Sequence, residues 1–194
     1  MRRNYGFNKQ TGDGMTLYDR YRREHKVKNF FPYHPVSIRR EPNPNHTRIS
    51  RLIIRLKDKN NDAIQKIVDE IIGKLPVIDM ICSIPSSNAC ETQNGIRLAS
   101  QIISKQLGIV DGTECLIRAT SRDRSCAGNR SSIDSHMKTM ALQNQHLIKG
   151  RRILLLDDVT TSGATLVAGA QMLKMGGAAL VSKYALGATV YYGH

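Results

Sequence analysis

A short apolar run that ends in two adjacent acids and a small, hydroxyl-rich turn is the feature that most limits how this chain can fold. The run occupies residues 153–156, Asp157 and Asp158 follow, and residues 160–165 read TTSGAT. Four consecutive apolar residues with such a boundary are typical of a buried strand. A helix is predicted from about residue 164 to residue 175, where two glycines end it. Strand, turn and helix in this order form the repeating unit of a parallel α/β sheet.

The rest of the chain repeats this alternation of strands and amphipathic helices. Helices are predicted from Asn61 or Asp62 onward, after a short strand-like piece, and at about 93–107. Strands are predicted at 77–85, at 114–120 and in the segment ALVSKYALGATV near the end. The pattern predicts an α/β fold with a mostly parallel twisted sheet and helices on both faces.

The first third of the chain carries most of the charge. Residues 1–60 contain 15 Lys and Arg against 5 Asp and Glu, while the whole chain has a net charge of +13. The Pro-rich stretch EPNPNH suggests a linker, so we expect a basic N-terminal arm or hood at 1–50 and an α/β domain at 51–194. A basic segment attracts polyanions such as DNA or RNA, although a solvated helix face explains the charge equally well.

The cysteines, the length of the apolar runs and the histidines limit which class of protein this chain can belong to. The 4 cysteines show no CxxC spacing, which favours reduced thiols and a cytoplasmic protein. No apolar run is long enough to cross a bilayer. The histidines are too scattered to predict a metal site, and we expect them to face solvent; five of them are His25, His34, His46, His136 and His146.

The hydroxyl-rich turn has the chemistry of a phosphate site. In parallel sheets ligands bind beyond the carboxyl ends of the strands, and a helix N-terminus offers unpaired N–H groups to an anion. The hydroxyls of Thr161, Ser162 and Thr165 add donors, and Gly163 lets the backbone approach a phosphate closely. A nucleoside-triphosphate loop would need a lysine after the glycine, and a dinucleotide fold would need GxGxxG; neither is present.

The two acids cannot serve the same phosphate, because like charges repel. A sugar diol or a divalent cation fits Asp157 and Asp158 instead, and a phosphorylated ribose would satisfy both parts of the segment. An ordinary helix N-cap beside an exposed strand end would explain the acids, the hydroxyls or the glycine taken singly. It explains poorly why all of them occur within one short segment.

The segment ILLLDDVTTSGAT resembles the phosphoribosyl-pyrophosphate (PRPP) binding motif of type I phosphoribosyltransferases. Within that family, IKGRRILLLDDVTTSGATL and LKMGGAALVSKYALGAT look most similar to the ComF-like, competence-associated branch. The resemblance implies that Asp157 and Asp158 are catalytic, holding the ribose while Mg²⁺ arrives with PRPP. It also implies a site for the 5-phosphate, formed by Thr160, Thr161, Ser162, Gly163, Ala164 and Thr165.

The resemblance further implies a pyrophosphate loop after the strand at 77–85, formed by Ser86, Ser87 and Asn88. The family often has a basic residue in this loop, whereas SIPSSN has none. The missing charge is then expected from a lid within 120–149, which also contains a predicted helix at 133–143; an ordinary loop is the other interpretation. The basic residues expected to bind pyrophosphate from this lid are Arg122, Arg124 and Arg130, and Arg118 lies just before it.

Two function classes stay open at this stage. The first is an enzyme that transfers phosphoribosyl from PRPP to an unidentified base or amine and releases pyrophosphate. The second is a non-catalytic PRPP sensor whose basic segment binds DNA or RNA in competence, regulation or defence. A homodimer is a further candidate assembly, and no membrane partner is expected.

Overall fold

The computed structural model describes residues 15–121 and 133–192. Its centre is a five-stranded sheet in which every neighbouring pair is parallel, in the order β1-β9-β8-β4-β5. These strands are β1 Val27–Tyr33, β4 Met80–Ser83, β5 Val110–Asp111, β8 Arg152–Thr160 and β9 Leu180–Thr189. Two small antiparallel ribbons stand apart from it: β2 Ser37–Ile38 with β3 Glu41–Pro42, and β6 Leu116–Arg118 with β7 Met140–Leu142.

Helices cover both faces of the sheet, so the predicted α/β fold is confirmed. They are α1 Leu17–Glu24, α2 Arg48–Lys57, α3 Asn61–Ile71, α4 Gly95–Leu107, α5 Ile133–Met137, α6 Gln145–Ile148 and α7 Ala164–Met175, with a 3₁₀ turn at Ile72–Lys74. One core packs α2, α3 and α4 against the sheet, and the other packs α7 against its opposite face. Parallel strands place all their carboxyl ends at one edge, which is where ligands bind in such folds.

The central strand β8 divides its side chains between the two cores. Ile153 and Leu155 enter the core that contains α7, whereas Leu154 and Leu156 enter the core that contains α2, α3 and α4. We predicted that this strand ends at Leu156, and that is wrong. Its backbone pairs with β9 as far as Thr160, which lies opposite Ala188. Both acids therefore lie inside the strand, and the period of two sends their side chains toward opposite faces.

The strand-like piece predicted before α3 is instead the helix α2. Thr47 caps its start by accepting a hydrogen bond from Ser50 N–H at 3.1 Å. Leu52, Ile53 and Leu56 are buried at helical spacing. Gly95, the first residue of α4, allows the end of α2 to come very close: a Cβ at Gly95 would lie 1.8 Å from the Leu56 carbonyl oxygen. This contact brings Lys57 to the carboxyl edge of the sheet.

The other long helices agree closely with the predictions. α3 is capped by Asn60, one residue before the predicted Asn61 or Asp62. α4 begins at Gly95 and ends at Gly108, whose φ of 64° is left-handed. α7 occupies the predicted residues and is followed by Gly176.

The region between β5 and β8 differs more. The strand predicted at 114–120 shortens to β6, and it pairs with β7 rather than joining the central sheet. The helix predicted at 133–143 covers only α5, because Met140–Leu142 forms β7.

The basic N-terminal segment contributes directly to the main sheet. β1 runs parallel to β9, with Val27 opposite Lys183 and Tyr33 opposite Thr189. The boundary expected between residues 50 and 51 falls within α2. The division into an arm and a domain stays a prediction, and the structure places Val27–Tyr33 of that arm at one edge of the sheet.

Candidate functional site

A crevice of about 500 Å³ opens at the carboxyl edge of the sheet, where β4 and β8 end. It is lined by residues from six parts of the chain, namely Lys57, Ile84, Pro85, Ser86, Ser87, Glu91, Asn94, Gly95, Ile96, Arg118, His136, Asp157, Asp158 and Thr165. The crevice therefore joins both predicted acids to one residue of the turn and to part of the predicted pyrophosphate loop.

The two acids have different surroundings within this crevice. Asp158 forms an ion pair with Lys57 at the end of α2, with Nζ 3.4 Å from Oδ2. Asp157 Oδ1 accepts a hydrogen bond from the Asp158 N–H at 2.9 Å. Burial, followed by the neighbouring negative charge of Asp158, raises the pKa of Asp157 well above its ordinary carboxyl value. The hydrogen bond from the Asp158 N–H, and then Lys57 and Arg118, only partly oppose this. A cation or a set of hydroxyl donors in the crevice would favour the ionised pair.

The turn between β8 and α7 has the backbone form of an anion site. Gly163 is the N-cap of α7 with a φ of 90°, a conformation that residues with a Cβ rarely adopt. A Cβ on Gly163 would also lie 3.0 Å from a methyl group of Val27 in β1. The Ser162 hydroxyl accepts a hydrogen bond from Ala164 N–H at 3.3 Å. The start of α7 thus presents N–H groups and hydroxyls beside the two acids.

The remaining turn residues differ in their exposure. Thr160 is buried at the end of β8, and Thr161 is exposed, with its hydroxyl 3.3 Å from that of Thr189. Thr165 lines the crevice, and its hydroxyl lies 3.3 Å from His136 Nε2.

The predicted pyrophosphate loop is held by its own side chains and by Arg118. Ser86 and Ser87 line the crevice, whereas Asn88 is exposed and accepts a hydrogen bond from Cys90 N–H at 3.0 Å. The Ser86 hydroxyl donates to Glu91 at 2.6 Å. Arg118 Nε donates to the Ser86 carbonyl at 2.9 Å, so a guanidinium lies against the loop that lacks a basic residue of its own.

Arg118 and His136 are the crevice residues that sequence reasoning placed least well. We predict Arg118 beside the lid, but it lies in β6, is buried, and donates to the Thr139 hydroxyl at 2.6 Å. The prediction that His136 faces solvent is wrong, because this side chain is 3% exposed and contacts Thr165. Both reach the crevice through the pairing of β6 with β7 and the packing of α5 on α7. No local pattern signals these long-range contacts.

The other predicted pyrophosphate ligands, Arg122, Arg124 and Arg130, lie outside the described residues. Among residues 15–121 and 133–192, no cluster of three or more His, Cys, Asp or Glu side chains could hold a metal ion. None of the helices in this part of the chain is both long enough and apolar enough to cross a membrane.

Comparison with known proteins identifies the family. Residues 89–187, about half of the chain, match the model of the phosphoribosyl transferase domain. No curated protein matches the chain.

Three solved structures show limited similarity. Glutamine PRPP amidotransferase from B. subtilis is 15% identical over 61% of this chain, with a TM-score of 0.40. Adenine phosphoribosyltransferase from Leishmania donovani is 18% identical over 84%, with a TM-score of 0.43. The Trypanosoma brucei enzyme of that name, solved with AMP, pyrophosphate and ribose-5-phosphate, is 14% identical over 92%, with a TM-score of 0.42.

This chain spans 25%, 65% and 81% of those three proteins, respectively. The family match covers α4, the β6–β7 ribbon, all of β8 and α7, and most of β9. The chain belongs to the type I phosphoribosyltransferase domain family.

Proposed function

We propose that this protein binds PRPP and transfers its 5-phosphoribosyl group to a nitrogen acceptor, releasing pyrophosphate. The observation that carries the proposal is the shared crevice, in which Asp157 and Asp158 lie beside the N-terminus of α7 and face the loop after β4. PRPP consists of a phosphate, a ribose diol and a pyrophosphate, joined in that order. The turn before α7 offers hydrogen-bond donors to the phosphate, the two acids offer acceptors to the diol, and the loop after β4 offers donors to the pyrophosphate.

The phosphate end of PRPP would occupy the turn formed by Thr160, Thr161, Ser162, Gly163, Ala164 and Thr165. Backbone N–H groups at a helix N-terminus hold an anion through direct hydrogen bonds and through the helix dipole. The left-handed Gly163 supports this role, because it lets the turn take this backbone form while packing closely on Val27.

The ribose would lie against the acids. Two carboxylates that leave a strand on opposite faces can each accept a hydrogen bond from one hydroxyl of a diol. As pyrophosphate departs, positive charge develops at C1 of the ribose, and the ionised pair stabilises it at short range. The acids thus bind the sugar and favour the charged transition state.

The pyrophosphate would meet Ser86 and Ser87, with Asn88 at the outer end of the loop. Arg118 and Lys57 bring positive charge to the same crevice in place of a basic residue in the loop. Arg122, Arg124 and Arg130 are proposed as further pyrophosphate ligands, and they lie outside the described residues.

Mg²⁺ fits the donor set of the crevice when it enters with PRPP. Carboxylate oxygens are its preferred protein ligands, and it keeps waters and substrate phosphates as the others. Asp157 and Asp158 would bind it directly or through water, and the described residues provide no separate protein cage. When bound, Mg²⁺ neutralises charge on the pyrophosphate.

The placement within the ComF-like branch is part of the same proposal and rests on the segments around β8 and β9. The acceptor is a base or another amine. Incubation with PRPP, Mg²⁺ and a panel of such acceptors, followed by measurement of released pyrophosphate, tests the proposal. Acceptor-dependent release is expected, and its absence with every acceptor would contradict a transferase.

A second function is supported by the exposed basic side chains of the N-terminal segment. They lie on α1, β1 and the loops that follow, and include Arg20, Arg23, Lys26, Lys28, Arg39 and Arg40. A PRPP sensor that binds DNA or RNA would use this surface, with an affinity that falls steeply as salt rises. A salt-titrated gel-shift assay, run beside the pyrophosphate-release assay, separates the two: a sensor shifts without turnover, and an enzyme does the reverse. Because β1 and the start of α2 lie within residues 1–50, the comparison protein keeps the full chain and carries Arg20→Gln, Arg23→Gln, Lys26→Gln and Lys28→Gln.

A further inference from the structure

The N-terminal helix α1 is fixed to the turn that starts α7. Its capping box pairs Thr16 with Asp19, and the Asp19 carboxylate also binds Arg22 one turn later. The Arg22 side chain is only 10% exposed. Burial opposes ionisation of Asp19, but hydrogen bonds from Thr16 and the charge of Arg22 outweigh it and hold the pKa of Asp19 below its ordinary value. Arg22 is thus held in one place by an ionised partner.

The other end of the Arg22 guanidinium donates to the carbonyl oxygen of Thr161. This contact joins residues 139 positions apart, and it falls in the middle of the TTSGAT turn. Neighbouring contacts strengthen the same junction. Val27 packs against Gly163, and Tyr18 of α1 stacks on Tyr191 with ring centroids 5.3 Å apart.

The orientation of one peptide group follows from this hydrogen bond. In a trans peptide the C=O of one residue and the N–H of the next point in opposite directions. With the Thr161 carbonyl directed at Arg22, the Ser162 N–H must point away from Arg22. If this peptide were reversed, a carbonyl oxygen would face the ligand side of the turn and repel a phosphate. A buried cation on the carbonyl side disfavours that reversal.

We propose that Arg22 is a positioning residue for the 5-phosphate site: by binding the Thr161 carbonyl from outside the turn, it fixes the Thr161–Ser162 peptide with its N–H available to the phosphate. The inference rests on the proposed PRPP site, since it assigns the phosphate end of PRPP to this turn. It predicts a selective effect, because Arg22 acts on the phosphate turn and lies outside the residues that line the crevice.

The test compares binding of the two halves of PRPP by calorimetry. Arg22→Met should weaken binding of ribose 5-phosphate by about tenfold to a hundredfold, the usual cost of losing a hydrogen bond to a charged group. Binding of magnesium pyrophosphate should change by less than about twofold, because its loop lies elsewhere in the crevice. Arg22→Lys should recover part of the loss, since an ammonium still donates to a carbonyl but cannot bridge to Asp19 in the same fork.

The matched control is Arg23→Met, which removes the same charge from the next position of α1, where the side chain is exposed. It should leave both affinities unchanged. If Arg22→Met does not fold, Arg22→Lys and Asp19→Asn provide the same comparison. Each should weaken the binding of ribose 5-phosphate more than the binding of magnesium pyrophosphate.

The inference is overturned if Arg22→Met binds ribose 5-phosphate as tightly as the wild type does, or if the substitution lowers the affinities for ribose 5-phosphate and magnesium pyrophosphate equally. A wild-type protein that binds neither ligand would remove the proposed function together with the inference. Normal wild-type binding with an unaffected variant would remove the inference alone.

Discussion

Lys57 Nζ lies 3.4 Å from Asp158 Oδ2, and this ion pair ties the end of α2 to one of the two crevice acids. Their side chains are 45% and 26% exposed, so the pair contributes less than about 1 kcal/mol to stability. Its importance is electrostatic. The loop 83–88 has no Lys or Arg, and Lys57 brings a positive charge into the crevice that the loop also lines.

Lys57→Met is therefore expected to weaken the binding of magnesium pyrophosphate about tenfold, while the melting temperature hardly changes. Removing the ammonium takes away one attraction and leaves Asp158 unpaired, and both effects disfavour an anion. Lys66→Met is the control, because Lys66 forms a comparable exposed pair with Asp62 at 2.8 Å, away from the crevice. Equal effects of the two substitutions on pyrophosphate affinity would argue against this role of Lys57.

Gly163→Ala should lower the free energy of unfolding by about 1–2 kcal/mol, as measured by chemical denaturation. It should also weaken the binding of ribose 5-phosphate. Gly163 has a φ of 90°, and a Cβ there would press on Val27 at 3.0 Å. Gly73→Ala is the matched control, because nothing lies within 4 Å of a Cβ at that position. A Gly163→Ala protein as stable as the Gly73→Ala protein would mean that the turn does not need the left-handed residue.

Asp157→Asn is expected to make the free protein more stable at neutral pH, by about 1 kcal/mol or more. Burial and the charge of Asp158 raise the folded-state pKa of Asp157 above its ordinary 3.8. The free energy of unfolding therefore has its full contribution from neutral Asp157 below the ordinary pKa, and it loses this contribution as pH rises through the raised pKa. An asparagine at this position stays neutral at every pH, so its contribution does not change. Denaturation at a series of pH values measures the difference.

The stability gain of Asp157→Asn over wild type should vanish near pH 4 and grow toward neutral pH. Asp158→Asn is the comparison, because it breaks the pair with Lys57. A wild-type protein that is more stable than Asp157→Asn at neutral pH would contradict the raised pKa.

Asp157→Asn combined with Asp158→Asn should abolish pyrophosphate release, since each preorganised electrostatic contact typically supplies about 10² to 10³ in rate. The double variant should stay folded, because both side chains keep their size. Turnover retained within about tenfold of wild type would refute the catalytic roles of the acids.

The parts of the fold that could be predicted are those with strong local signals. The continuous apolar run of β8, the helical spacing in α4 and the two glycines after α7 each determine an element without help from distant residues. The length of β8 could not be predicted, because Asp157 and Asp158 interrupt the apolar pattern and only the pairing with β9 extends the strand to Thr160.

Other differences come from tertiary structure or from a wrong choice of period. The sequence of α2 contains the helical spacing of Ile49, Leu52, Ile53 and Leu56, so the strand-like piece predicted there is wrong. β1 was hidden by its position at the sheet edge, where Lys28, Asn29 and Pro32 are exposed. The contacts of Arg22 with Thr161 and of His136 with Thr165 join distant segments, and no local spacing encodes them.

A crystal structure with PRPP and Mg²⁺ would show where each part of the substrate binds. We expect the 5-phosphate within the turn 160–165, the ribose diol against Asp157 and Asp158, and the pyrophosphate beside Ser86 and Ser87. Ligand density elsewhere on the molecule, or a ribose that faces away from both acids, would contradict this arrangement.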